Sequence, residues 1–213
     1  MPEMFATGYV PEQAFSLAEN FDADNEITAK TLQEMAERTG CFVLGGGMHR
    51  LSSVSFTNRT RLYTPSADAE KMHYDKLHPF FPEQKQFVPG KNVEIFNIRN
   101  FKIAPFICYD LRFPEEFRKG LAKGAQAFTV QASWPATRNE HWETLLKARA
   151  IENQAYVIAV NNVSSDSSYI GNSQVVAPDG TCIAKAQTGK EQVIHAEISI
   201  DIVKRCREDF PVL

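Results

Sequence analysis

The sequence predicts an α/β protein. Short apolar runs of strand length recur at residues 41–44, 103–108, 125–132 and 156–160. Between them lie segments with helical spacing and helix-end chemistry, and near the C-terminus short stretches alternate apolar with polar residues. Strands that alternate with helices are the pattern of a sheet built from crossover units.

The chain has 213 residues and a net charge of −3, with 43% apolar and 23% charged residues, so one domain with a sizeable core is expected over 1–213. Its Lys and Arg residues are scattered, which gives no electrostatic footprint for nucleic acid. No apolar run reaches the length of a membrane span, and no basic-then-apolar signal segment opens the chain. Cys41, Cys108, Cys182 and Cys206 form no C-x-x-C pair and no zinc spacing. A reducing, cytoplasmic setting is therefore expected.

Taken in order, residues 11–24 read as a loop with one helical turn. Asp24 and Asn25 are candidate caps for a helix through Ile27, Leu32, Met35 and Ala36, which Gly40 stops. Cys41–Leu44 is a buried strand. Gly45–Gly47 lead into Met48-His49-Arg50, not the Gly-Lys-Ser/Thr of a phosphate loop, so close backbone packing is expected. Residues 52–63 alternate like a strand with one wet face. A turn at Pro65-Ser-Ala-Asp precedes a strand over 71–76.

Lys76-Leu-His78-Pro-Phe-Phe-Pro-Glu83 is a shaped, proline-rich loop, in which a solvated Lys76 and a packing His78 are the plain readings. Residues 93–98 read as a strand, and so does the run to Cys108, despite the lost donor at Pro105. Pro114–Gly124 is a helix with proline in its first turn and glycine at its end. Residues 133–138 form a loop at a strand's C-terminal end. Asn139 is a plausible cap for a helix to Asn153, with an apolar face of Trp142, Leu145, Leu146 and Ile151. Three antiparallel strands follow at 173–177, 182–185 and 193–198, the first turn being Pro178-Asp179-Gly180. Ser199 caps a last helix through Ile202, Val203 and Cys206.

The stretch Ile103-Ala-Pro-Phe-Ile-Cys108-Tyr-Asp-Leu-Arg-Phe-Pro-Glu115 holds the chemistry. A thiol at a strand end before a helix start lies where backbone N–H groups favour a thiolate. A buried structural cysteine is the competing reading. A catalytic cysteine needs a base and oxyanion donors. His78 and His141 are the available histidines, and spacing pairs neither with Cys108.

Pro2-Glu3-Met4-Phe5, Tyr74-Asp-Lys76-Leu-His78 and Ile107-Cys108-Tyr-Asp-Leu-Arg-Phe-Pro-Glu115 resemble, in order, the three catalytic motifs of the nitrilase (carbon–nitrogen hydrolase) superfamily. His141–Tyr156 and Gly171–Gly180 resemble its later motifs. The resemblance implies an α-β-β-α sandwich, with Glu3 as general base, Cys108 as nucleophile, and Lys76 with the Tyr109 N–H stabilising the oxyanion. Glu83 is the candidate for a second, supporting glutamate; Glu143 reads as structural. Neither metal nor organic cofactor is implied, and a homodimer is.

Pro-Glu-Met-Phe-x-Thr-Gly-Tyr, Cys-Tyr-Asp-Leu-Arg-Phe-Pro and Ser-Trp-Pro-Ala-x-Arg-x-x-His-Trp are most similar to bacterial ω-amidases of the Nit2-like branch. That likeness implies hydrolysis of the terminal amide of 2-oxoglutaramate or 2-oxosuccinamate. Phe5, Trp134, Arg138 and His141 would line the pocket, with Arg138 as carboxylate clamp; Arg112 would instead pair with Glu115 or Glu116. Another amidase of the superfamily and a non-catalytic binding module are the alternatives. The family's first strand, helix and second strand have no counterpart before Pro2, and the tail after Phe210-Pro211 is short. The sandwich is thus expected to be incomplete at one edge, with Glu3 loosely held.

Overall fold

A computed structural model describes residues 1–23, 26–66 and 72–213. The chain forms two compact units, Met1–Glu94 and Ile95–Leu213, each with its own sheet. No helix among the described residues is long and apolar enough to cross a membrane.

The first unit has α1 (Ala14–Leu17), α2 (Ile27–Thr39) and the antiparallel sheet β1 (Val43–Arg50), β2 (Phe56–Tyr63), β3 (Met72–Asp75), in that order. Gly40 closes α2 in the left-handed region, at φ 65°. The N-cap is Glu26, without a side-chain cap bond; the caps expected at Asp24 and Asn25 lie outside the described residues.

The strand expected at 41–44 runs instead through all three glycines to Arg50, and Cys41 is exposed. Glycine is required at position 46. A Cβ there would lie 2.0 Å from the Arg59 carbonyl oxygen of the neighbouring strand.

The second strand corrects the reading of 52–63. It begins only at Phe56, and every residue of it is buried. Its charged residues find partners inside the unit. Arg59 pairs with Asp75 and Asp22, at 2.7 and 2.9 Å, and Arg61 donates to the Phe21 carbonyl at 2.7 Å. Alternation cannot separate a wet face from one lined by paired polar groups. The turn expected from Pro65 runs out of the described residues.

The second unit has a six-stranded sheet in the order β4 (Phe96–Ile98), β5 (Phe101–Ile107), β6 (Ala127–Ala132), β7 (Tyr156–Asn161), β8 (Gln174–Val176), β9 (Cys182–Lys185). The β5–β6–β7 core is parallel and the flanking pairs are antiparallel. Helices α3 (Pro114–Ala122) and α4 (Asn139–Asn153) make the two parallel crossovers, as parallel pairing demands. Pro105 is tolerated in β5 because pairing with β4 ends at Ile103. Phe106 of β5, Phe117 of α3 and Phe128 of β6 pack ring on ring, with centroids 4.1–6.0 Å apart. Each such buried ring contributes on the order of 2–3 kcal/mol.

Three expectations change in this unit. Asn139 is the first helical residue of α4, not its cap, and its side chain donates to Glu143. The buried face of α4 is Trp142, Leu146, Arg149, Ala150 and Asn153, while Ile151 is exposed. Residues 193–198 form no strand, because alternation makes a strand only where a partner edge takes up its hydrogen bonds. The last helix, α5 (Ile200–Asp209), is capped as expected: Ser199 Oγ accepts from Asp201 N–H.

Candidate active site

In the first unit a buried charge cluster forms around Lys76, directly after β3. The Lys76 ammonium lies 2.8 Å from Glu3 Oε1 and 2.8 Å from Glu83 Oε2. The lysine side chain is 1% exposed and both carboxylates 0%. Lys76 is therefore not the solvated residue of the plain reading.

Backbone bonds place each member. The Lys76 N–H donates to the Asn58 carbonyl of β2, and the Lys76 carbonyl accepts from Gly90. Gly90 is needed there, since a Cβ would meet the Asp75 oxygen at 2.1 Å. In the proline-rich loop, Glu83 N–H donates to the Phe80 carbonyl while Glu83 Oε2 accepts from Phe80 N–H at 2.5 Å, so the turn aims its own carboxylate. The first residues are also tied down. The Met1 ammonium donates to Leu44 O at 2.8 Å, and buried Met4 takes φ 48°. Glu3 is thus held firmly, contrary to the loose terminus expected.

Asn58 completes the cluster. Its amide nitrogen lies 2.8 Å from both Glu3 Oε1 and Glu83 Oε1. Burial pushes the Glu83 carboxyl above its usual range; Lys76 opposes this and the Glu3 charge adds to it. Phe5 is half-buried and packs against the α2 side of this unit's core.

In the second unit, Cys108 begins a short 3-10 turn, Cys108–Arg112, directly after β5. It is buried and takes φ 46°, a left-handed conformation that costs a non-glycine residue energy and clusters at functional sites. Two residues lock this elbow. Asp110, fully buried, accepts from Ile107 N–H, and Arg149 of α4 donates twice to the Leu111 carbonyl, at 2.7 and 3.1 Å. Tyr109 contributes the second N–H of the turn, and its ring packs edge-on against Phe113.

Beside the elbow, Arg112 does not pair with a glutamate. Its guanidinium stacks 4.7 Å above the Trp134 ring and lies 3.2 Å from His141 Nδ1, while Glu116 pairs with Lys119. Trp134 is buried, and its indole N–H donates to the Arg138 carbonyl; the Arg138 side chain is exposed. Glu143 accepts from Lys185 and Asn139, and these bonds hold its carboxyl below the usual range. His78 is half-buried. No group of three or more His, Cys, Asp or Glu side chains among the described residues could hold a metal ion.

Asn58 and Arg149 were not legible as site residues in the sequence, and Arg112 stood there only behind Arg138 as a clamp. Arg149 left one trace, a charge in register with Trp142 and Leu146 on the buried helix face.

The comparisons with known proteins agree with one another. The carbon–nitrogen hydrolase family model matches residues 1–208. Omega-amidase YafV of Escherichia coli (strain K12) is 39% identical over 217 residues, covering 99% of this chain and 80% of that protein. The 2-oxoglutaramate amidase of Bacillus subtilis is 33% identical over 222 residues, covering 100% and 82%. Among solved structures, Saccharomyces cerevisiae Nit3, of branch 10 of the nitrilase superfamily, matches with a TM-score of 0.88 at 27% identity, over 99% of this chain and 79% of that one. XC1258 of Xanthomonas campestris, a CN-hydrolase superfamily protein, matches with a TM-score of 0.84 at 30% identity, over 99% and 81%.

Proposed function

The chain belongs to the carbon–nitrogen hydrolase family, and we propose that within it this protein is an ω-amidase releasing ammonia from 2-oxo dicarboxylic acid monoamides such as 2-oxoglutaramate and 2-oxosuccinamate. It is a hydrolase of carbon–nitrogen bonds other than peptide bonds. The observation that carries the finer reading is the buried Glu3–Lys76–Glu83 cluster, two carboxylates on one ammonium. Such a cluster supplies both a base and an oxyanion partner. The names of the relatives from E. coli and B. subtilis support the substrate class.

In the proposed reaction Glu3, Lys76 and Cys108 act on one substrate. Glu3 takes the Cys108 thiol proton as the sulfur attacks the amide carbon. The oxyanion of the tetrahedral intermediate is stabilised by the Lys76 ammonium and the Tyr109 N–H. The carbon–nitrogen bond breaks as Glu3 returns the proton to the leaving nitrogen, giving ammonia and a Cys108 thioester. Water, deprotonated by Glu3, attacks the thioester; the carbon–sulfur bond breaks, and the thiolate recovers a proton.

Glu83 shares Lys76 with Glu3 and keeps the ammonium in place. The free carboxylate of the substrate falls to Arg112, which the Trp134 face and His141 hold beside the elbow; exposed Arg138 orients Trp134 through its carbonyl. Phe5 and His141 are pocket residues in this reading. A homodimer accompanies it, to be checked by light scattering.

The test is ammonia release across a panel of 2-oxoglutaramate, 2-oxosuccinamate, deaminated glutathione, a carbamoyl amine and a nitrile. Turnover favouring the two 2-oxo acid amides is expected. Preference for another member, or turnover of none by the folded protein, refutes the ω-amidase assignment.

A further inference from the structure

We infer that Asn58 is a positioning residue for the reaction: its side-chain amide orients the Glu3 base and ties it to Glu83, while its carbonyl anchors Lys76. The inference rests on the proposed roles of Glu3, Lys76 and Cys108.

The geometry is specific. One residue in the middle of β2 makes three contacts to the cluster. Its amide nitrogen donates to Glu3 Oε1 and to Glu83 Oε1, each at 2.8 Å, and its carbonyl accepts from Lys76 N–H at 2.8 Å. Asn58 is 3% exposed, so water does not replace these donors freely. Its place is fixed from both sides by the ladder, opposite Met48 of β1, with neighbouring Arg59 opposite Asp75 of β3.

The chemistry explains why an amide stands there. Two buried carboxylates share one ammonium, so a further donor is needed that adds no charge. An amide nitrogen carries two N–H groups, one for each carboxylate. Lysine at this position would neutralise the base, and aspartate would offer only acceptors. Asn58 and Lys76 both reach Glu3 Oε1 at 2.8 Å, so the carboxylate is held by two donors at one oxygen, which sets its rotation. A base held in this way keeps the reach that proton transfer requires.

Asn58→Leu removes both donors with little change in volume. Loss of a hydrogen bond to a charged group corresponds to a fall in kcat of about 10–100-fold, with KM held within about threefold. Donors stabilise the ionised carboxylate, so their loss moves the acid limb of the kcat/KM profile upward in pH, as does the alkylation of Cys108 by iodoacetamide. Asn58→Asp keeps the shape and carries the test, through its own opposite pH dependence, if leucine does not fold. It should be worse than leucine at pH 8 and recover towards acid, as the added carboxyl takes up a proton and donates. A purely structural role predicts the reverse order, since aspartate preserves packing.

Glu3→Gln, measured alongside, separates the two claims. If Glu3→Gln abolishes turnover and alters Cys108 alkylation while folded Asn58 variants match the wild type in kcat and pH profile, the Asn58 inference is overturned and the catalytic reading stands. If Glu3→Gln changes neither, the catalytic reading itself fails.

Discussion

Replacing Lys76 with methionine tests the charge cluster at its centre. The side chain fits the same channel and loses only the ammonium. Glu3 and Glu83 would then face each other across Asn58 with no cation, both side chains fully buried. Removing one partner of a buried pair costs roughly 3–5 kcal/mol, because the remaining charge is left uncompensated.

The variant relieves that cost by taking up a proton. Burial already raises the Glu83 carboxyl, with Lys76 pulling it down, so loss of the lysine raises it further. A carboxyl whose folded pKa exceeds its unfolded value binds more protons in the folded state. Stability then falls as pH rises from the unfolded value, about 4.3, up to the raised folded value. The variant should therefore be nearest the wild type at pH 5 and furthest from it at pH 8. Urea denaturation followed by circular dichroism at both pH values reads this directly. A loss below about 1 kcal/mol at pH 8, or a loss equal at both pH values, would refute the buried-cluster reasoning.

Two further perturbations probe other parts of the molecule. His49 is buried, accepts from Phe21 N–H through Nδ1, and is held down to about 4 by burial. The unfolded state, with a histidine near 6.5, binds more protons below that value. Stability should therefore fall by about 2–3 kcal/mol between pH 7 and pH 4.5 on this residue's account. His49→Asn, which keeps an acceptor for Phe21, should flatten that part of the acid slope in urea denaturation. Arg112→Ala should raise KM for 2-oxoglutaramate about 10–100-fold, while Arg138→Ala changes it less than about threefold; steady-state kinetics with the two variants decide between them.

The parallel strands and the ends of three helices were legible because they carry local signals. Pro114 and Gly124 bracket α3, Gly40 ends α2, and Ser199 caps α5. What the sequence hid depends on partners far along the chain. Arg59 and Arg61 looked like the wet side of a strand, and only the contacts to Asp22, Asp75 and Phe21 account for their burial; Asn58 lies on the opposite face, where it meets Glu3. Val193–Ile198 has the alternation of a strand without the edge that would pair it.

The same division holds at the candidate site. Cys108 stood out through its position between strand and helix, and resemblance supplied Glu3 and Lys76. Arg112 was misread because helical spacing points it at Glu115 or Glu116. The turn is a 3-10 helix that ends at Arg112 itself, so the guanidinium goes to Trp134 and His141.

The most direct test of the central claim is to trap the covalent intermediate. The protein is mixed with 2-oxoglutaramate, quenched in acid during turnover, digested, and each cysteine peptide weighed by mass spectrometry. The account predicts an adduct of the substrate less ammonia on Cys108 alone, absent in Cys108→Ala, which also releases no ammonia. Ammonia release that persists in Cys108→Ala, or an adduct confined to Cys41, Cys182 or Cys206, would contradict it.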